Sequence, residues 1–161
     1  MQQTMRRFKQ QIPDDEARRI LNEATSGVLS LTDAGGEPYG VPMSFVYDGA
    51  QTIYFHCARQ GRKMDCLRRD GRASFCVVAQ DDVQPEEFTT CYRSVIVGGR
   101  AAVVDSGDEI MSALRLLCGK YSPGLDCTDE IAKGIGRVVV VRLDIETMCG
   151  KEAVELIRRR V

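Results

Sequence analysis

Short apolar runs separated by glycine-containing turns follow one another along this sequence, and this pattern limits the possible folds more than any other feature. The predicted strands cover residues 28–31, 38–47, 52–57, 72–79, 89–104 and 138–143. Turns at 33–37 and at Asp48-Gly49 join the first three strands as consecutive hairpins. Because hairpins pair antiparallel neighbours, the pattern favours an antiparallel barrel over a doubly wound parallel sheet.

The longest predicted strand, 89–104, contains the pair Gly98-Gly99. Paired glycines inside a strand pattern indicate a β-bulge or a close backbone approach, so this segment forms either one long strand or two with a bend. The preceding segment, 80–87, is polar and acidic, and we expect it to be a connection. Strand 138–143 is almost entirely apolar, which suits a buried central position.

Two or three helices accompany the strands. Pro13 and the three acidic residues after it are typical of a helix start, and the following stripe consists of Ala17, Ile20, Leu21 and Ala24. Further helices are predicted for 62–70 and 108–119. The segment 121–134 is rich in turn residues and receives no assignment, and the basic tail 158–160 is expected to be a solvated end.

Composition excludes several classes of protein. The chain has 161 residues, 43% of them hydrophobic and 28% charged, which predicts one soluble globular domain. Its net charge of −1 argues against a general nucleic-acid binder. No apolar run approaches the roughly 20 residues of a membrane span. The first seven residues lack the apolar core of a signal peptide, so we expect a cytoplasmic protein that does not bind membranes.

Seven cysteines occur at scattered positions: 57, 66, 76, 91, 118, 127 and 149. Their odd number and irregular spacing argue against a disulfide framework. No CxxC pair is present and His56 is the only histidine, so no metal site is predicted. Most of the thiols are expected to pack as small apolar groups.

The segment from Tyr54 to Lys63 carries the most chemistry. An apolar strand runs into a short turn, and Gly61-Arg62-Lys63 then opens a predicted helix. The first turn of a helix offers unpaired N–H groups to an anion, and the two cations add a guanidinium fork and a mobile ammonium. The segment therefore predicts a phosphate site, with a solvated basic turn as the alternative. Neither GxGxxG after the first strand nor GxxxxGK[ST] is present, so a Rossmann or P-loop nucleotide site is not expected.

Three segments in this order resemble the pyridoxamine 5′-phosphate oxidase-like superfamily of FMN-binding split barrels. Residues 40–47 are similar to its Val-Pro-x-x-Phe strand, residues 54–58 precede Gly61-Arg62-Lys63 and Leu67, and residues 92–101 form the third segment. The resemblance covers roughly residues 5–150. Within the superfamily, the chain looks closest to the 5-nitroimidazole resistance (Nim-type) reductases.

This resemblance implies a mainly β (α+β) fold, a six-stranded antiparallel split β-barrel with flanking helices. It implies a single domain over residues 1–161, with FMN at the interface of a homodimer. Arg62 and Lys63 would hold the FMN phosphate. The other implied cofactor-binding residues are Pro42, Met43, Ser44 and Phe45 along the flavin ring, His56, Cys57 and Ala58 on the ribityl–phosphate side, and Tyr92, Arg93 and Ser94.

Strand geometry qualifies two of these assignments. Ser44 alternates with Met43 and Phe45, so only one face of this strand can meet a flavin. Phe45 is equally well interpreted as a core residue.

The sequence departs from the family pattern at two places. Cys57 stands where the family often has serine or threonine. The chain also lacks the family's C-terminal substrate-phosphate region, so vitamin B6 oxidation is not expected.

The function implied is that of an FMN-dependent oxidoreductase. It would pass electrons from a reduced donor to a small organic acceptor such as a nitroaromatic, for example a 5-nitroimidazole, with His56 or Tyr92 as the proton donor. One alternative is a split barrel that binds haem or another flat ligand without redox turnover, with His56 as the axial ligand. Another is a flavin-storage or redox-sensing dimer in which Cys91 or Cys66 responds to oxidants.

Overall fold

Strands dominate the architecture of the computed structural model, which describes residues 5–158. The strands are β1 (Gln11–Ile12), β2 (Ser26–Thr32), β3 (Pro38–Ser44), β4 (Val46–Tyr47), β5 (Thr52–Ala58), β6 (Arg72–Gln84), β7 (Thr89–Val103) and β8 (Val138–Glu152). The helices are α1 (Asp14–Glu23), α2 (Arg62–Arg69), α3 (Gly107–Tyr121), α4 (Thr128–Gly134) and α5 (Val154–Arg158). The signal-peptide expectation for Met1–Thr4 and the tail residues from 159 onward lie outside the described residues.

All eight strands form one antiparallel sheet. Its order is β3-β2-β6-β7-β8-β5-β4, and β1 pairs separately with β8. The sheet curls without closing, since β3 and β4 are its two ends. The predicted antiparallel α+β fold with flanking helices is confirmed. The predicted number of six strands is too small, because the short β1 was missed and Phe45 divides segment 38–47 into β3 and β4.

A bulge bends the two longest strands at the predicted place. Opposite β8, Gly98 pairs with Thr147 and Gly99 pairs with Ile145, so that Glu146 is the extra residue. A Cβ atom on Gly99 would overlap the carbonyl oxygen of Asp144. The glycine is therefore required by the close approach of two backbones, and β7 continues through the bulge as one strand.

The prediction of a connection at 80–87 is wrong for most of its length. Strand β6 continues to Gln84 and pairs with 89–93 of β7, forming a hairpin that is closed by a 3₁₀ turn at Pro85–Glu87. Phe88 follows in the left-handed region, with φ 51°. Polar side chains do not prevent backbone pairing across a hairpin, so the acidic composition of this segment was a poor guide to its structure.

The core lies inside the curled sheet and is closed by two helices. Phe45, Phe55 and Phe75 are completely buried at its centre. The predicted stripe of α1 is confirmed, with Ala17, Ile20 and Leu21 buried and Ala24 packed at the margin, while α2 contributes Met64, Cys66 and Leu67. On the outer face of the sheet, α3 forms a smaller cluster with Val104, Ala113 and Val140.

A disulfide joins Cys118 at the end of α3 to Cys127 at the start of α4, with Cα atoms 6.4 Å apart. The expectation that most cysteines are packing residues holds for the other five, which are free. Cys66 and Cys91 are both buried, so neither offers the exposed thiol that the redox-sensing alternative requires. The bridge escaped prediction because an odd number of cysteines does not exclude a single pair.

Removing this disulfide is expected to lower the free energy of unfolding by about 2–3 kcal/mol, because the unfolded chain gains conformational entropy when the short loop between the two cysteines is no longer closed. The comparison is between the oxidised protein and the Cys118→Ser/Cys127→Ser variant in urea unfolding. Cys149→Ser, which removes a free thiol, serves as the control. Equal midpoints for the double variant and the oxidised protein would contradict the prediction.

None of the helices within residues 5–158 combines the length and the apolar character needed to cross a bilayer.

Candidate functional site

The strand–turn–helix segment from β5 to α2 has the geometry of an anion site. Gly61, immediately before α2, adopts φ 117°, which favours glycine because it carries no Cβ. Its carbonyl oxygen accepts hydrogen bonds from the N–H groups of Met64 at 2.8 Å and Asp65 at 3.2 Å. No side chain caps the helix, so the N–H groups of Arg62 and Lys63, which precede these two donors, are available to an anion.

Lys63 places an uncompensated positive charge beside this turn. The side chain is half-buried, and Nζ lies 3.0 Å from Sδ of Met43. A thioether is a weak acceptor, and no carboxylate of residues 5–158 lies within ion-pair distance of the ammonium. An anion bound here would supply the missing counter-charge.

Arg62 is already engaged with the turn between β2 and β3. Its guanidinium lies 2.7 Å from Oδ2 of Asp33 and stacks 4.5 Å above the ring centre of Tyr39. The hydrogen bond from Arg62 is the main cause that lowers the pKa of Asp33. Arg62 would therefore have to share a bound phosphate with Asp33, and Lys63 is the less occupied of the two cations.

Strand β3 presents alternate residues to opposite faces, as its sequence predicts. Pro42 and Ser44 are exposed on the outer face, whereas Met43 and Phe45 point into the core. The ring of Phe45 packs edge-on against Phe75, with centroids 4.8 Å apart. Phe45 is therefore a core residue, and only its backbone lies near the outer face.

Strand β5 divides its predicted site residues in the same way. His56 and Ala58 are exposed, while Cys57 is half-buried with its Sγ 3.7 Å from Sδ of Met64. Partial desolvation, and secondly the charge of Lys63, lower the pKa of His56. Burial raises the pKa of the Cys57 thiol, against a smaller opposing effect of Lys63. Near neutral pH, both groups are therefore uncharged.

The replacement Lys63→Met is expected to raise the pKa of His56, because it removes a repulsive cation and leaves the desolvation in place. His56 is the only histidine, so its ring resonances in an NMR pH titration need no assignment. Arg68→Met, on the same helix with its guanidinium 3.2 Å from Asp65, is the control. An unchanged His56 titration in Lys63→Met would show that the two groups are not electrostatically coupled.

Tyr92, Arg93 and Ser94 lie far from this segment in the same chain. Ser94 pairs with Lys151 of β8, whereas Ala58, close to α2, pairs with Val138 at the other end of that strand. Thirteen residues separate these partners, roughly 40 Å along an extended strand. The predicted site residues of β5 and α2 thus lie beside one end of β8, and those of β7 lie beside the other end.

Arg93 also has a structural role at its end of the sheet. Its guanidinium lies 3.3 Å from Glu152, which is buried, and 3.6 Å from Glu16 of α1. Beside it, the ammonium of Lys151 lies 5.4 Å from the ring centre of Tyr92. These contacts join β7 and β8 to α1.

A cavity of about 460 Å³ beside His56 was not predicted. It lies between the outer face of the sheet and the helices α3 and α4. Ser44 and His56 line it from the sheet, and Leu117, Tyr121 and Ile131 line it from the helices. The hydroxyl of Tyr121 accepts a hydrogen bond from the Phe45 N–H at 2.8 Å. The same hydroxyl lies 2.5 Å from the carbonyl oxygen of Thr25. Because five separate elements (β3, β5, α3, α4 and β8) meet here, no local pattern in the sequence could reveal the cavity.

Residues 13–152 match the family described as pyridoxamine 5′-phosphate oxidase. No curated protein matches the sequence.

Solved structures share the fold at low sequence identity. A candidate 5-nitroimidazole antibiotic resistance protein from Bacteroides thetaiotaomicron is 23% identical with a TM-score of 0.75, over 88% of this chain and 86% of that one. The flavocytochrome Anf3 from Azotobacter vinelandii is 22% identical with a TM-score of 0.77, over 93% and 72%. The FAD and heme binding protein from Mycobacterium smegmatis is 20% identical with a TM-score of 0.75, over 93% and 80%.

The family match covers most of the chain, and the curled antiparallel sheet with its flanking helices agrees with the fold of these structures. The expected resemblance is thereby confirmed, and the chain belongs to the pyridoxamine 5′-phosphate oxidase family.

Proposed function

We propose that this protein binds FMN and acts, as a homodimer, as a flavin-dependent oxidoreductase that reduces a small organic acceptor such as a nitroaromatic. The single observation that carries the proposal is the half-buried ammonium of Lys63, which has a thioether and no carboxylate as its partner. Family membership and the flavin binders among the similar structures support it. Bound flavin supplies the electron or hydride transfer, and the protein supplies binding and orientation.

The phosphate of FMN fits the start of α2. Lys63 would neutralise it directly, the first-turn N–H groups would donate to it, and Arg62 would add a second cation while keeping contact with Asp33.

The rest of the flavin fits the outer face of the sheet. Pro42 and Ser44 of β3 and His56 and Ala58 of β5 are exposed on that face. Met43, Phe45 and Cys57 point inward, so they would contribute backbone groups alone. Tyr92 and Ser94 are too distant within one chain and would come from the second subunit.

An apolar row across the outer face supports pairing of two chains. Pro42, Val28, Cys76, Ile96 and Cys149 are direct cross-strand neighbours on five adjacent strands. Val28 is 41% exposed and Ile96 49% exposed. A continuous exposed apolar row typically marks an interaction surface. A second chain on this surface could bring its own Tyr92 and Ser94 to the first chain's α2. In the proposed dimer, each chain is a single domain over residues 1–161.

The test is an absorbance spectrum from 300 to 700 nm of protein supplemented with FMN and freed of excess. We expect flavin bands, release of FMN on denaturation identified by mass, and a dimer by sedimentation. Oxidation of a nicotinamide donor in the presence of a nitroaromatic would then test turnover. A featureless spectrum would contradict the cofactor, and a monomer that binds FMN tightly would contradict the shared site.

Haem binding is the second candidate function, because His56 lies exposed at the edge of the apolar cavity. Its lowered pKa keeps the imidazole neutral, which is the form that binds iron. A Soret band on addition of haem, lost in His56→Ala, would support this function. No spectral change on addition of haem would exclude it.

A further inference from the structure

The cavity beside His56 has two fixed walls. The disulfide between Cys118 and Cys127 ties the start of α4 to the end of α3. The hydroxyl of Tyr121 ties α3 to the chain between β3 and β4, through its hydrogen bond with Phe45. The cavity is therefore formed before any ligand arrives, and its volume lies in the range of small-molecule sites.

The lining of this cavity is apolar and carries no cation. Leu114, Leu117 and Ile131 face it from the helices, and Val138 faces it from the sheet. Among the described residues that line it, Glu130 is the only one with a full charge at neutral pH, and that charge is negative. An anionic ligand would lose its hydration without gaining a counter-charge, whereas a neutral apolar ligand would gain from burial.

The position of the cavity connects it to the proposed flavin. Ser44 and His56 line the cavity and also stand on the face assigned to FMN. A molecule in the cavity would therefore lie next to two of the residues that the proposed function assigns to the flavin. Any acceptor of electrons from the flavin has to reach such a position.

We infer that this cavity is the acceptor site, and that it takes neutral, planar, largely apolar molecules while rejecting phosphorylated and carboxylated ones. This inference rests on the proposed function, since Ser44 and His56 are shared with the flavin. It separates the protein from the reaction that its family is named after, because pyridoxamine 5′-phosphate carries a phosphate for which the cavity has no cation.

Matched nitroaromatic probes test the inference on FMN-loaded protein. Binding of 4-nitrotoluene, 4-nitrobenzoate and 4-nitrophenyl phosphate would be measured by NMR chemical-shift titration. We expect 4-nitrotoluene to bind at least about tenfold more tightly than either anion. Ile131→Trp, which fills the cavity from α4, should weaken 4-nitrotoluene binding by about tenfold or more and leave FMN affinity unchanged. Leu116→Trp, exposed on α3 and outside the cavity, is the matched control.

A second variant guards against misfolding of the first. Ile131→Lys adds a cation to the lining and should raise the affinity for 4-nitrobenzoate, which general damage to the fold cannot do. Equal binding of neutral and anionic probes, or no effect of either Ile131 variant, would overturn the inference. Loss of FMN from Ile131→Trp but not from Leu116→Trp would overturn it too, because the cavity would then hold the flavin itself. Absence of FMN from the unaltered protein would instead refute the proposed function, and the acceptor assignment with it.

Discussion

Replacing Arg62 and Lys63 together with alanine is expected to weaken FMN binding by roughly a hundredfold to ten-thousandfold, from two charge-assisted contacts at about 1.5–3 kcal/mol each. Lys63→Ala alone should have the larger single effect, because Lys63 has no competing carboxylate and Arg62 is already paired with Asp33. The affinity would be measured from quenching of FMN fluorescence.

Arg68→Ala provides the control for this double variant. Arg68 lies on the same helix and its guanidinium is 3.2 Å from Asp65, outside the proposed phosphate site. Its replacement changes the net charge of α2 without touching the helix start. Unchanged FMN affinity in the Arg62/Lys63 variant, or an equal loss in Arg68→Ala, would refute the phosphate assignment.

Phe75→Ala is expected to lower the free energy of unfolding by about 3–5 kcal/mol, a large share of the 5–15 kcal/mol typical of a domain. Phe75 is completely buried between Phe45, at 4.8 Å, and Phe55, at 5.1 Å, both edge-on. Its ring also fills the space over Gly27, where an added Cβ would collide with it. The truncation would leave a cavity, because the strands around the missing ring are held in one sheet and cannot move inward to fill it.

Urea unfolding followed by circular dichroism measures this effect. Phe88→Ala is the matched control, since Phe88 is 96% exposed at the hairpin between β6 and β7 and should change stability by at most about 0.5 kcal/mol. A loss below about 1 kcal/mol for Phe75→Ala would mean that the core can collapse around the missing ring.

Local patterns predicted the elements that depend on local physics. Glycine turns, the apolar stripe of α1 and the glycine pair of the bulge each follow from constraints within a few residues. The segment 80–84 was missed because its pairing is decided by the partner strand, and its own side chains are polar. The disulfide was missed because the proximity of Cys118 to Cys127 depends on where α4 folds back.

The candidate site shows the same division between local and distant information. The helix start with Gly61, Arg62 and Lys63 could be predicted from one segment of ten residues. Strand alternation predicts that Phe45 and Ser44 face opposite sides of the sheet. Which of the two faces outward is decided by the position of the strand in the folded sheet, and the sequence alone does not reveal it. The distance between Lys63 and Ser94 depends on the length of β8, which continues nine residues beyond the predicted strand.

Lys63 and Tyr92 lie near opposite ends of β8, and this distance has a consequence for mixtures of two variant subunits. In the proposed dimer, each flavin would be held by Lys63 of one chain and Tyr92 of the other. A heterodimer of a Lys63→Ala chain with a Tyr92→Ala chain would then contain one doubly damaged site and one fully native site. Two inactive variants would restore each other at up to half of the native flavin occupancy, whereas sites built within single chains would show no such complementation.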